Sequence, residues 1–241
     1  MKIFDPIILK TQELLSGLPY SSFEYAPGKA APEGNVNDLV LGKEAAFELG
    51  AADYSAVHYT AVTREEAIVP RDEILVYGRD LSEIKADCSF ARITLLRTDD
   101  IEEEGEQGAY AIIEKIEQKK FDVAPKGYMM RASALSTREQ VRVAKTAVKH
   151  GISFEAVGNL IISKYKENEH VLAVKIIFVT LPDGPYIELD KLANTSYQMI
   201  KALNHIIADL KMDCHTCNFK PICDEVEGMK ELHLKKAKKN K

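Results

Sequence analysis

Apolar residues return at helical intervals at the start of the chain. Ile7, Ile8, Leu14 and Leu15 follow Pro6, and the run ends near Gly17 and Pro19, which predicts a helix over residues 6–15. Residues 21–37 carry Pro27, Gly28, Pro32 and Gly34 and read as an irregular connection. Residues 43–49 form a short helix candidate stopped by Gly50. The pattern then changes. Residues 55–63, 73–78 and 90–96 are rich in β-branched and aromatic side chains and predict three strands. Residues 99–120 begin acidic and continue as a helix with Tyr110, Ile112, Ile113 and Ile116 on one stripe, and residues 128–132 suggest a further strand.

The second half is more regular. Ser136-Thr137-Arg138-Glu139 offers a cap for a helix carrying Val141, Ala144, Ala147 and Val148, which Gly151 ends. Ser153 caps a second helix whose apolar face holds Phe154, Val157, Leu160, Ile161 and Tyr165. Residues 170–180 are the clearest strand, closed by Pro182-Asp183-Gly184-Pro185, and residues 189–210 form a long amphipathic helix. Strands and helices mix without a strict strand–helix–strand repeat. The fold class expected is α+β (mixed α/β): a mixed sheet flanked by helices, followed by a C-terminal cysteine-rich metal-binding segment. Three regions follow: residues 1–37 as an N-terminal helix and connection, 38–210 as the α+β domain, and 211–241 as the cysteine cluster and a basic tail.

Composition adds constraints rather than identity. The chain has 241 residues, 46% hydrophobic and 29% charged, as an ordinary globular protein does. Its net charge of −5 argues against a general nucleic-acid binder. No apolar run approaches the ~20 residues needed to cross a bilayer, and the N-terminus lacks a secretory pattern. A cytoplasmic location is the expectation.

The chemistry concentrates at the cysteines. Of four, Cys214, Cys217 and Cys223 lie within ten residues, and Cys88 stands apart. In a reducing compartment such clustering points to a metal. Cys-x-x-Cys aims two thiolates at one point, and Cys223 can close the same turn, with Pro221 stiffening it. A closed site needs a fourth ligand, for which Cys88 is the remaining cysteine. A [4Fe–4S] cluster is favoured over zinc, because neither His215 nor His233 completes a common zinc spacing. The spacing is also similar to the iron–sulfur staple of some nucleases, although Glu188-Leu189-Asp190-Lys191 is a poor match to their carboxylate set.

Other residues carry weaker signals. Arg131, Arg138 and Arg142 can gather at a helix N-terminus to hold a phosphate or carboxylate, against the plainer reading of solvated charges. His58 reads as a core or edge histidine, His205 as a solvent-facing one, and Lys235-Lys236-Ala237-Lys238-Lys239 as a solvated tail. There is no glycine-rich phosphate loop and no Ser/His/Asp arrangement.

Taken together, the residues from about Leu49 onward resemble the acetyl-CoA synthase subunit of the carbon monoxide dehydrogenase/acetyl-CoA synthase complex. The likeness runs through Glu48-Leu49-Gly50, Ser55-Ala56-Val57-His58, the stretch from Asp72 to Ile84, and Val174-Lys175-Ile176-Ile177-Phe178. Its best part is the stretch from Arg142 to Ile161, similar to that family's "R-I-S-K-x-A-V-K-x-G" segment. The resemblance implies the family's middle domain, in which arginines of this region serve coenzyme A, and the approach to its cluster cysteines. Cys214, Cys217 and Cys223 fall where its first three cluster cysteines would lie, with a shorter second gap.

A fourth nearby cysteine, the later Cys-Gly-Cys and the nickel domain have no counterpart. Gln140 stands where the family has a tryptophan, and this chain has none. The expectation is an iron–sulfur protein acting as an accessory or electron-transfer component with a protein partner, not a complete synthase. An open-site iron–sulfur enzyme and a zinc-stapled binding module are the alternatives. A homo-oligomer is compatible with each; nucleic acid and membrane are not expected as partners.

Overall fold

Pro6 in the first turn and the i, i+4 spacing of Ile7, Ile8, Thr11 and Leu15 make α1 (Asp5–Leu15) a helix with one buried stripe. It opens the computed structural model, which describes residues 2–31, 45–100, 105–119, 129–134, 137–207, 218 and 220–225. Then follow β1 (Ser21–Glu24), β2 (Ala46–Leu49), β3 (Ala56–Thr63), β4 (Glu73–Tyr77), β5 (Phe90–Thr98), α2 (Gly105–Gln118), β6 (Met129–Ala134) and β7 (Glu139–Ala144). The chain continues through α3 (Lys145–Lys149), α4 (Phe154–Tyr165), β8 (Val171–Val179), α5 (Tyr186–Ile207) and α6 (Lys220–Glu225).

The fold is α+β, with a mixed sheet. Five strands run in the order β1-β4-β8-β5-β3. The β4–β8 and β5–β3 pairs are parallel, and the β1–β4 and β5–β8 pairs antiparallel. A second, antiparallel sheet has the order β2-β7-β6. Strands β3, β4, β5 and β8 are buried almost throughout. That is why none of them alternates between apolar and polar residues along its whole length.

Alternation along β3 assigns the layers. The Tyr59 hydroxyl meets Thr11 Oγ1 of α1 at 2.7 Å, so this face carries α1, with α5 beside it. The neighbouring residue Thr60 points the other way, where Tyr165 of α4 lies. On that face Phe154 of α4 stacks on Phe178 with ring centroids 4.3 Å apart, and Phe90 completes the trio. Ser153 caps α4 as expected, its side chain accepting from the Ala156 N–H, and Asp80 accepts from the Phe154 N–H at 2.6 Å.

Gly158 is where α4 comes closest to the sheet. A Cβ there would lie 2.7–2.9 Å from three side-chain atoms of the fully buried Ile74. Gly158→Ala is therefore expected to destabilise by about 1–2 kcal/mol in spite of alanine's better helix propensity, since overpacking outweighs it. Urea denaturation reads this directly, and a stabilised variant would contradict the packing.

Three elements differ from expectation. Residues 21–24 are an edge strand against β4, not part of an irregular connection, because the β4 backbone supplies their partners. Residues 46–49 form a strand instead of a helix, since they pair with β7. The helix expected from Val141 onward is strand β7 through Ala144, followed by the short α3. Val141 and Val143 repeat every second residue and both enter the core, so the period was two.

Candidate functional site

The cysteine cluster follows the longest helix. One buried stripe, Leu189, Ala193, Ser196, Met199 and Leu203, holds α5 against β3, where the Ser196 hydroxyl donates to the Thr60 carbonyl at 2.9 Å. Beyond Ile207, Cys214 and Cys217 lie outside the described residues, as do His215, His233 and the lysine-rich tail. Cys223 falls on the backbone of α6, which packs against α5. His205 is on α5.

Cys88 is described in full. It forms a one-residue parallel bridge to Leu49 just before β5. The Gly50 N–H donates to the Cys88 carbonyl at 2.8 Å, and the Cys88 N–H to the Glu48 carbonyl at 3.2 Å. Its half-buried thiol packs on the core. Burial pushes that thiol up to about 11, against the opposing pull of the nearby Arg79 guanidinium. The thiol also lies close enough to Tyr186 to help raise that phenol, whose own burial is the larger cause. Cys88 therefore sits at the end of the sheet where α5 begins, and the cysteine cluster comes after α5 in the chain.

This environment has a kinetic consequence. Only the thiolate attacks an alkylating reagent. Cys88 is expected to react slowly with iodoacetamide at pH 8, its rate climbing about tenfold per pH unit until pH nears 11. Peptide mass spectrometry follows Cys88 separately from the other three. Ordinary reactivity at pH 8, already levelling off near pH 9, would contradict the burial.

The three arginines occupy the β6–β7 region, not a helix N-terminus. One Arg138 guanidinium nitrogen, Nη2, donates to the carbonyls of Gly50, Ala51 and Tyr54 at 3.1, 2.8 and 3.1 Å. Arg142 Nε donates to Glu48 at 2.7 Å, and Gln140 holds the other oxygen of the same carboxylate at 3.0 Å. Arg131 is opposite Val141 in the β6–β7 ladder. Arg138 and Arg142 thus tie the small sheet to its connecting turn and to β2.

A buried polar group went unread in the sequence. Arg92 and Glu139 form an ion pair at 2.9 Å with both side chains only 4% exposed. His58, also buried, is the register partner of Arg92, and Thr60 is that of Thr94. The Tyr165 hydroxyl closes the row beside the two threonines, and burial raises its phenol well above the usual value. The sequence signal was a basic residue in the middle of the apolar run Phe90-Ala91-Arg92-Ile93. Elsewhere, an open groove of about 330 Å³ is lined by Lys115, Gln118, Lys119, Glu167 and Asn168, and Lys119 is already paired with Glu167 at 2.9 Å.

Among the described residues no three His, Cys, Asp or Glu side chains converge in a metal-holding group. No described helix is long and apolar enough to cross a membrane. Compared with known proteins, the chain matches no family model and no curated protein.

Proposed function

We propose that this chain is an iron–sulfur protein in which Cys214, Cys217 and Cys223 hold a [4Fe–4S] cluster. On this reading it serves as an accessory or electron-transfer component of a carbon monoxide dehydrogenase/acetyl-CoA synthase type of system. The observation that carries the reading is the spacing Cys-x2-Cys-x5-Cys directly after a long amphipathic helix. Three thiolates in ten residues suit iron better than zinc here, because the nearby histidines do not complete a zinc pattern. Thiolate ligation also suits a reducing, cytoplasmic compartment.

When bound, such a cluster supplies one-electron redox chemistry. The chain's own residues would hold it and bring a protein partner within reach. Cys88 is the fourth ligand on this reading, and its buried thiol would have to surrender a proton to the metal. If Cys88 stays protonated, the fourth position belongs to a histidine or to a molecule from outside the chain.

Iron, zinc and acid-labile sulfide measured on anaerobically purified protein test the proposal. Iron and sulfide in about equal amounts are expected, with a broad absorption near ~400 nm. Cys217→Ser should abolish both. Stoichiometric zinc without iron would overturn the assignment. Cys88→Ser separates the two ligand sets: loss of iron makes Cys88 a ligand, and an intact cluster places the fourth ligand elsewhere.

A further inference from the structure

Most of this molecule is held by apolar layers, but the join between its two sheets is polar. Strand β7 lies against β3 and β5. The pair at that join is Arg92 of β5 with Glu139 of β7. Around it the His58 N–H donates to the Thr137 carbonyl at 2.7 Å, and the Arg138 guanidinium reaches the turn after β2. Gly50, at φ +71°, lets this turn pass so close that a Cβ would lie 2.9 Å from the Glu139 carbonyl.

A buried ion pair gives a weaker seal than apolar residues of the same volume, because both charges regain hydration when the join opens. Among the described residues of β2 and β7, Leu49, Val141 and Val143 enter the core and Phe47 packs against it. From this we infer that the β2-β7-β6 sheet is a separately opening flap, latched to the five-stranded sheet by Arg92 and Glu139. Opening also releases the Cys88 backbone, which is clamped to Glu48 and Gly50 of the flap edge. The inference stands whether or not a metal binds.

Native-state hydrogen exchange resolves such a unit. In the full-length protein the amides of β2 and β7 should exchange together, at least ~100-fold faster than those of β8. A destabilising change remote from the join, Gly158→Ala, should speed β8 exchange and leave β7 unchanged, because β8 opens only with the whole molecule. Ile74→Val, a milder change at the same contact, replaces it if that variant does not fold. Glu139→Gln, which weakens the latch, should speed β7 exchange by about tenfold or more. Equal protection of β7 and β8, with both responding to Gly158→Ala, would overturn the flap. Unchanged β7 exchange in Glu139→Gln would overturn the latch.

Discussion

Replacing Glu139 by leucine while Arg92 remains is expected to cost the fold about 3–5 kcal/mol, because it removes a carboxylate paired with a buried guanidinium. Both partners are 4% exposed, so little solvent is at hand to take over the lost interaction. Replacing both, as R92M/E139L, should recover most of that loss and can exceed the parent in stability, since two well-packed apolar side chains carry no desolvation cost. Denaturant midpoints of the two single variants and the double variant measure the coupling directly. Additive losses, with the double variant the least stable of the three, would show that each residue acts through contacts other than their pair. A recovered double variant would also lock the proposed flap, making β7 exchange slower than in the parent.

Phe178→Ala should be comparably severe, at about 3–5 kcal/mol, for a different reason. Phe178 is 1% exposed, pairs with Arg92 across the β5–β8 ladder, and stacks on both Phe154 and Phe90. Its removal leaves a cavity among residues that the sheet and α4 hold in place, and the two remaining rings lose their shared neighbour. For a chain of this length the loss amounts to a melting temperature lower by on the order of 10 °C. Phe178→Leu should cost distinctly less because it keeps most of the volume. If the two substitutions cost the same, the stacking geometry rather than the filled volume is what matters.

These effects also mark where sequence reading worked. Strands β3, β4 and β5 were legible through their β-branched and aromatic residues, and β8 because burial on both faces favours a long apolar run. Helix α4 was legible through Ser153 and the spacing of Phe154, Val157, Leu160 and Ile161. Besides the edge strand Ser21–Glu24, the errors fell on Ala46–Leu49 and Glu139–Ala144, which pair with each other across more than ninety residues of chain. Local spacing in Val141, Ala144, Ala147 and Val148 fits a helix; the pairing with β2 decides for a strand, since a ladder satisfies more backbone groups than that short segment could by itself.

The candidate site divides the same way. The proposed chemistry rests on the chain's cysteine spacing by itself, because three thiols within ten residues are close enough in sequence for one metal site to use them all. The opposite holds for Cys88. Nothing adjacent to it in sequence foretells that Glu48 and Gly50 will bind its backbone and that burial will raise its thiol to about 11. Likewise Arg138 and Arg142 looked like an anion site until the fold gave them carbonyls and the Glu48 carboxylate to bind. Arg92 and Glu139 looked like ordinary charges until β7 was laid over β5. Patterns within one element follow from the side chains in it. The meaning of a charge or a thiol depends on what long-range pairing removes from water and places beside it.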